Sequence, residues 1–341
     1  MPLVGPFHTR WPLYSAVHVR EIVRAFAPAR LVLASLPPGA LADPLWQDTE
    51  ELALPLAVVP WALKAGIAIT AAGLDPAEAL YPGDDAATAD LFRYLGQYEA
   101  GRSRLAELND ARAPFERLLV SPMDCARLTA ELLPALAAFQ REQARLLGEG
   151  PGTGWHKERA ELLASRVLAA SERRAAVLVA LDLVPALQRA LAGHAELEPL
   201  APAVTGEEGR RRALLDLALR GETADPAALL AQLAQLAEPE ARYHEANLLL
   251  ATGHVAAALG RLEELTAGDF AEPYFLPGFA LARLGQLHDL TGKRQAAIRS
   301  YRGALALSYA PLEAREAARR GLEAPFAFAG EPEGGSDRGI I

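Results

Sequence analysis

The residue best placed for chemistry in the first part of this chain is His8, which follows the short apolar stretch Leu3-Val4-Gly5. That stretch predicts a β-strand, and open α/β sheets bind ligands beyond the carboxyl ends of their strands. An imidazole in such a place can act as a general acid, a general base or a metal ligand. One histidine alone is not a metal site, because metal sites need three or four ligands. Two interpretations of His8 therefore stay open: a catalytic or metal-binding group, and a hydrogen-bonded structural histidine.

The single cysteine, Cys125, is a candidate nucleophile. It lies in the first turn of a predicted helix, a position that lowers the pKa of a thiol. The sequence defines no histidine partner for it, so we expect it to be inert. One cysteine also excludes an internal disulfide framework and a multi-cysteine metal site. Together with an N-terminus that lacks a basic region followed by an apolar core, this indicates a cytoplasmic protein.

Strand and helix patterns alternate over residues 1–198. Apolar strands are predicted at 3–5, 31–34, 67–70 and 175–180, and helices at 13–26, 86–107, 124–147, 155–170 and 183–192. Strands that alternate with helices form βαβ units, so we expect an α/β domain with a mainly parallel sheet covered by helices on both faces. The acidic, proline-containing stretch 196–209 predicts the boundary of this domain.

Three features of this part resemble the TraB and erythromycin-esterase-like superfamily, which includes the ChaN-like proteins. They are Gly5-Pro6-Phe7-His8 after the first strand, the helix and proline of 19–28, and Glu158-Arg159 at the start of a helix. The resemblance implies a hydrolase that uses His8 and Arg159, with a divalent metal as an alternative cofactor. The chain has Ala34-Ser35 where the family has a glutamate, and Ala180-Leu181-Asp182-Leu183 where the family repeats Gly-x-x-His after its last strand. Asp182 would then be a substitute ligand for the second histidine.

Helical hairpins are predicted over residues 207–326. In the clearest one, Leu281, Leu284, Gly285 and His288 lie on one face of a first helix, Gly292 ends that helix, and Ala297, Tyr301 and Ala304 lie on one face of a second. This pattern resembles a tetratricopeptide repeat. Turn glycines at 221 and 253 predict two earlier hairpins, 208–220 with 226–237 and 240–251 with 254–267. A helix after Pro311 would cap the array, and 327–341 is expected to be a flexible tail.

The charge distribution indicates which class of partner this chain binds. The net charge is −9, which argues against general nucleic-acid binding. Residues 207–280 carry 6 basic and 12 acidic residues, whereas 281–323 carry 8 basic and 4 acidic ones. The basic end is therefore the predicted docking surface for an acidic protein partner. Its predicted partner-binding residues are Leu281, His288, Lys293, Arg294, Arg299 and Arg302.

The sequence therefore predicts an interaction protein that docks a protein partner through helical repeats, with a catalytically inactive α/β domain and no cofactor. The alternative is a hydrolase of the TraB and erythromycin-esterase-like type, with His8, Arg159 and Asp182 as its site residues. No apolar stretch predicts a membrane span, since the most apolar window, 52–74, contains two prolines and a lysine.

Overall fold

The structure is a computed structural model, and it describes residues 1–75, 84–148, 155–171 and 174–328. The chain divides into two compact units, Met1–Ala224 and Asp225–Ile341. None of the helices in the described ranges is long and apolar enough to cross a membrane. The predicted tail lies outside the described residues from 329 onward.

A four-stranded parallel sheet forms the centre of the first unit. Its strands are β1 (Pro2–Leu3), β2 (Arg30–Leu33), β3 (Ala68–Ala71) and β4 (Ala175–Ala180). Their order across the sheet is β1-β4-β2-β3, and each neighbouring pair is parallel. Strands β2 and β4 are apolar and largely buried, as parallel strands covered by helices should be. The predicted parallel sheet is confirmed.

Ten α-helices surround or extend this sheet in the described part of the first unit. They are α1 (Phe7–Arg10), α2 (Ala16–Phe26), α3 (Val59–Lys64), α4 (Asp84–Leu95), α5 (Glu99–Leu119), α6 (Cys125–Arg127), α7 (Leu133–Leu147), α8 (Trp155–Ala170), α9 (Val184–Leu191) and α10 (Gly206–Arg220). One hydrophobic core joins residues of the strands with apolar faces of the helices, among them Trp11, Leu54, Leu128 and Leu163.

Helix α10 belongs to this first unit. The sequence pattern instead predicts that it pairs with 226–237 as the first helical hairpin. It packs against α1 and α2. Arg20 of α2 makes two hydrogen bonds of 2.6 and 2.7 Å to Glu208, and Arg220 donates to the Thr9 carbonyl. These long-range contacts outweigh the local hairpin pattern. The compact units therefore meet after Ala224, later than the predicted boundary at 196–209.

The second unit is all-helical, as predicted. It contains α11 (Pro226–Leu233), α12 (Pro239–Ala251), α13 (Val255–Thr266), α14 (Leu276–Leu290), α15 (Arg294–Ala306) and α16 (Leu312–Glu323). Helix α12 pairs with α13, and α14 with α15, while α16 packs against both α14 and α15. The glycines between paired helices, Gly253 and Gly292, have φ angles of 83° and 72°, which side chains rarely tolerate.

Candidate functional site

The carboxyl ends of β1, β4 and β2 adjoin at one edge of the sheet, which is where open α/β sheets bind ligands. Gly5 follows β1, and Asp182 follows β4 in a short 3-10 turn. Glu51 reaches this edge from the segment before α3, because its Oε2 accepts a hydrogen bond of 3.0 Å from the Gly5 backbone N–H. Two carboxyl groups that are distant in sequence are thus held at the same edge.

His8 lies in α1 and is 1% exposed. Its Nδ1 donates to the Tyr14 carbonyl over 3.1 Å, and its Nε2 accepts from the Val4 backbone N–H over 3.2 Å. The two partners fix the tautomer that carries its proton on Nδ1. Burial lowers the pKa of His8 to about 4, so the ring is neutral at physiological pH. Both nitrogens hold the backbone around β1, which is the work of a structural histidine.

Glu51 and Asp182 have the perturbed acidities that buried carboxyl groups show. Burial raises the pKa of Glu51 to about 7, against the effect of the Gly5 hydrogen bond, and the charge of Asp182 raises it further. Burial also raises the pKa of Asp182, while the Arg159 guanidinium lowers it. The Gln140 side-chain amide donates to the Asp182 carbonyl over 2.6 Å. With a pKa of about 7, Glu51 can hold or release a proton near neutral pH, and together with an Asp182 influenced by Arg159 this arrangement is suited to acid–base chemistry.

Arg159 and Asp182, two of the predicted site residues, lie within electrostatic range of each other, and the charge of Asp182 also acts on Glu51. The hydrogen bonds of His8 go elsewhere, to Val4 and Tyr14. Glu51 was not among the predicted site residues. The sequence gives only a weak signal for Glu51. An acidic residue directly before the apolar run 52–59 is predicted to be buried only if that run packs against the sheet.

Comparison with protein-family models, with curated proteins and with solved structures found no match. The residues of this chain therefore carry the functional argument by themselves.

The divalent metal that the resemblance implies does not fit the side chains at this edge. The Nε2 lone pair of His8 is engaged by the Val4 N–H, and burial keeps the other nitrogen on a backbone carbonyl. Within the described ranges, no group of three or more His, Cys, Asp or Glu side chains is arranged to hold a metal ion. A metal site with three or four ligands is therefore not formed by the described residues.

In the second unit, the two helix faces predicted for the clearest hairpin lie against each other. The ring of Tyr301 is 0% exposed and lies between the backbones of Gly285 on α14 and Gly321 on α16. A Cβ atom added at Gly285 would be 2.4 Å from the Tyr301 ring, and one added at Gly321 would be 2.2 Å from it. The absence of side chains at the two glycines leaves space for one aromatic ring. Tyr301 of α15 therefore packs against both α14 and α16.

Asp289 fastens the same three helices. Its carboxylate, whose side chain is 0% exposed, accepts 2.9 Å hydrogen bonds from the Tyr301 hydroxyl and from the Phe326 backbone N–H. Arg294 bonds both Asp289 oxygens over 3.0 and 3.1 Å. The same guanidinium donates to the carbonyls of Gly321 and Leu322 at the end of α16. Arg294 was predicted to bind a partner, but its guanidinium donates hydrogen bonds to groups of its own unit.

The other predicted partner-binding residues differ in their exposure. Leu281 is half-buried and contacts the core around Tyr301, and His288 is 8% exposed. The side chain of Lys293 is 53% exposed, and its Nζ lies 3.9 Å from Glu263 Oε1. Arg299 and Arg302 are exposed on one face of α15. Of the four predicted cations, these two are the ones presented to solvent without an ion pair among the described residues.

A groove of about 700 Å³ lies between α11, α12 and α13. Its walls are mainly small or apolar, with Leu230, Ala231, Leu249, Ala257 and Gly260 among them. Arg261 and Glu264 form its charged rim, and Arg261 also bonds the buried Glu245 over 3.0 Å. No local pattern in the sequence marks this groove, because its lining residues are spread along the chain from Ala227 to Glu264.

Proposed function

We propose that this chain is an interaction protein that docks an acidic protein segment through its helical unit, and that the α/β unit does not catalyse a reaction. The basic surface is the α15 face, defined as the exposed side chains of Lys293, Arg299 and Arg302. The observation that carries the proposal is the charge pattern of α15. This helix has three arginines and no acidic residue, and Arg299 and Arg302 stand three positions apart on its solvent side.

Like charges at that spacing destabilise a helix, and opposite charges three or four positions apart relieve the repulsion. Some exposed arginines of the first unit have that relief, as in the pairs Arg112–Glu116 and Arg127–Glu131. The other positions three or four away from Arg299 or Arg302 carry no acidic residue: they are 295, 296, 298, 303, 305 and 306, with Gln, Ala, Ile, Gly, Leu and Ala. An acidic segment of a partner would supply the missing countercharge.

The fixed hydrogen bonds of His8 support the non-catalytic part of the proposal, because a residue whose two ring nitrogens hold backbone groups is not free to exchange protons. The tetratricopeptide-like pairing of α14 with α15, around Tyr301, supports the assignment to an interaction class.

The experiment that tests the proposal uses a fluorescein-labelled poly-L-glutamate peptide as the acidic probe and follows its anisotropy. Wild-type chain should bind it at low ionic strength, although the net charge of the chain is −9. Arg299→Glu with Arg302→Glu should slow association and flatten the salt dependence. The matched control is Arg104→Glu with Arg117→Glu on exposed positions of α5. Equal loss in both double variants would contradict the proposal.

A second candidate function is hydrolysis at the carboxyl edge of the sheet, favoured by the placement of Glu51 beside Asp182 and Arg159. Protonated Glu51 would give its proton to a leaving group, and ionised Asp182 would take one from water. Turnover of an activated ester that is lost in both Glu51→Gln and Asp182→Asn would establish it. Turnover unaffected by either change would exclude this edge as its origin.

A further inference from the structure

We propose that the acidic partner of the α15 face is a second copy of this chain, held in a twofold dimer in which each α15 face meets the α13 edge of the other copy. The α13 edge is defined as Glu263 and Glu264. The inference rests on the proposed function, since it names the partner of the same basic surface.

The α15 face and the α13 edge are both exposed and carry opposite charges. The side chains of Glu263 and Glu264 are 51% and 62% exposed, and that of Lys293 is 53% exposed. Residues 225–280 carry 8 acidic and 2 basic residues, whereas 281–323 carry 4 acidic and 8 basic ones. Glu240 and Glu245 in the first count are buried, so the surfaces of opposite sign are formed by the exposed Glu263 and Glu264 and by the exposed cations of the α15 face.

The α15 face and the α13 edge share a border. Lys293 Nζ lies 3.9 Å from Glu263 Oε1. The charges of Glu263, Lys293 and Arg299 all act on His288, which places them around one buried side chain. Helices α13 and α14 pack together, and α14 packs on α15, so the border follows a continuous helical surface.

Adjoining patches of opposite charge favour a dimer with twofold symmetry. When an acidic patch and a basic patch adjoin on one surface, a twofold rotation about their border lays each patch on its opposite in the second copy. The resulting interface is self-complementary and closes at two subunits, which is the commonest arrangement of homo-oligomers. Two patches at opposite ends of a unit would instead favour open chains of copies. The 3.9 Å approach of Lys293 to Glu263 selects the closed form.

The dimer interface also needs apolar contacts, because exposed ion pairs contribute little to its stability by themselves. The groove between α11, α12 and α13 opens beside the α13 edge, with Glu264 and Arg261 on its rim. Its small-residue walls leave space for long side chains, and arginine covers apolar surface with its aliphatic stem while its charged head stays in water. The stems of Arg299 and Arg302 of the second copy occupy this groove in the dimer.

The test measures the mass of the full chain by sedimentation velocity, over a concentration series and at two ionic strengths. Dimer should form at about 0.01 M salt and be lost at about 1 M salt, where the Debye length falls from about 30 Å to about 3 Å. Arg299→Glu with Arg302→Glu, or Glu263→Lys with Glu264→Lys, should each raise the dissociation constant by about tenfold or more, since both place like charges against each other.

Mixing provides the decisive control. An equimolar mixture of the two double variants should form a heterodimer, because both halves of the twofold interface then join opposite charges. The fourfold variant, with both reversals in one chain, should regain the homodimer. A wild-type chain that stays monomeric at all concentrations, or double variants that dimerise like wild type, would overturn the inference, as would a monomeric mixture. If a double variant fails to fold, as judged by circular dichroism, Arg299→Ala with Arg302→Ala replaces it and should weaken the dimer without repulsion.

The outcomes also separate this inference from the proposed function. A monomeric chain that binds poly-L-glutamate through the α15 face would overturn the dimer and leave the proposed function standing. A chain that neither dimerises nor binds the acidic peptide would defeat both. A dimer that ignores all four charge reversals would place the interface on another surface and overturn the inference.

Discussion

At the scale of single residues, the α/β unit buries two ionisable groups whose effects on stability oppose each other. Burial raises the pKa of Glu51 to about 7 from its ordinary 4.5, and lowers that of His8 to about 4 from 6.5. Between pH 4.5 and 7 the folded state keeps the proton of Glu51 that the unfolded state releases, so this contribution to stability falls as pH rises. Between pH 4 and 6.5 the unfolded state protonates His8 first, so that contribution rises with pH. Over their common window the two nearly cancel.

Replacing Glu51 with glutamine should expose the effect of its carboxyl group. Glutamine keeps an acceptor for the Gly5 N–H and cannot ionise. The variant should match wild type near pH 4 and become more stable as pH rises through 7, by up to about 3 kcal/mol at pH 8. Urea unfolding at several pH values measures this difference. Glu99→Gln, at an exposed position of α5, is the control. A difference that does not change with pH would show that the Glu51 carboxyl is solvated.

At the scale of elements, one aromatic ring sets the spacing of α14, α15 and α16. Tyr301 contacts glycine backbones on both sides, and its hydroxyl donates to Asp289. Arg294 then ties the Asp289 carboxylate to the last carbonyls of α16. The close approach of helices therefore depends on positions that cannot carry a side chain.

A methyl group at Gly285 or Gly321 should force the Tyr301 ring out of its place. Gly285→Ala and Gly321→Ala should each lower the free energy of unfolding by roughly 1–3 kcal/mol, and Gly285→Leu by more, through overpacking. The matched control is Gly260→Ala on α13, where an added Cβ meets nothing within 4 Å. That change should stabilise by about 0.5–1 kcal/mol, because alanine favours a helix interior over glycine. Unfolding curves in denaturant compare them.

A thermodynamic cycle with Tyr301→Ala identifies the cause. Once the ring is absent, Gly285→Ala should cost far less than it does in the wild-type background. If its cost is unchanged without the ring, the destabilisation has another origin, and the helices are not spaced by Tyr301.

At the scale of the whole molecule, the assignment of α10 decides where the chain divides. This helix precedes the helical unit directly in sequence, yet its Glu208 pairs with α2, and Glu222, which follows the helix, pairs with α1. Arg10 bonds both oxygens of Glu222, and Arg20 bonds both oxygens of Glu208. Within α10, the buried Arg212 pairs with Asp216 over 2.7 Å. The first unit therefore uses α10 as its last element.

Truncation tests this division. A fragment ending at residue 224 should fold with the stability of the first unit, whereas one ending at 205 loses α10 and its bonds to Thr9 and Arg20. We expect its unfolding temperature to be lower by at least about 5 °C, since each kcal/mol corresponds to about 2–4 °C for a unit of this size. Thermal unfolding followed by circular dichroism gives both values. Identical unfolding temperatures would place α10 outside the first unit.

Local patterns in the sequence predicted most of the elements. Strand 175–180 was predicted with its observed bounds, and the turn glycines 253 and 292 were found from their position between helical periods. The helix faces that carry Gly285 and Tyr301 also followed from helical spacing. These features depend on residues within about 20 positions of each other, where residue type and periodicity hold the information.

Contacts between distant residues were the ones that sequence reasoning missed. The bond of Glu51 to Gly5 spans 46 positions, and that of Arg20 to Glu208 spans 188. Arg294 looked like a free cation because the carbonyls of Gly321 and Leu322 that it binds carry no sequence signal. His8 was recognised as important, but the backbone groups that hold its ring depend on the path of the chain after β1.

The strand order has a consequence for how the chain is made. Strand β4 lies between β1 and β2, with Leu3 opposite Ala180 and Leu33 opposite Leu178. The first two strands therefore wait for a neighbour that is translated roughly 150 residues later, which takes about 7–30 s at ribosomal speed. Strand β2 can pair with β3 meanwhile, but its other edge stays open. Nascent chains of this protein should thus depend on chaperones until residue 180 has left the ribosome.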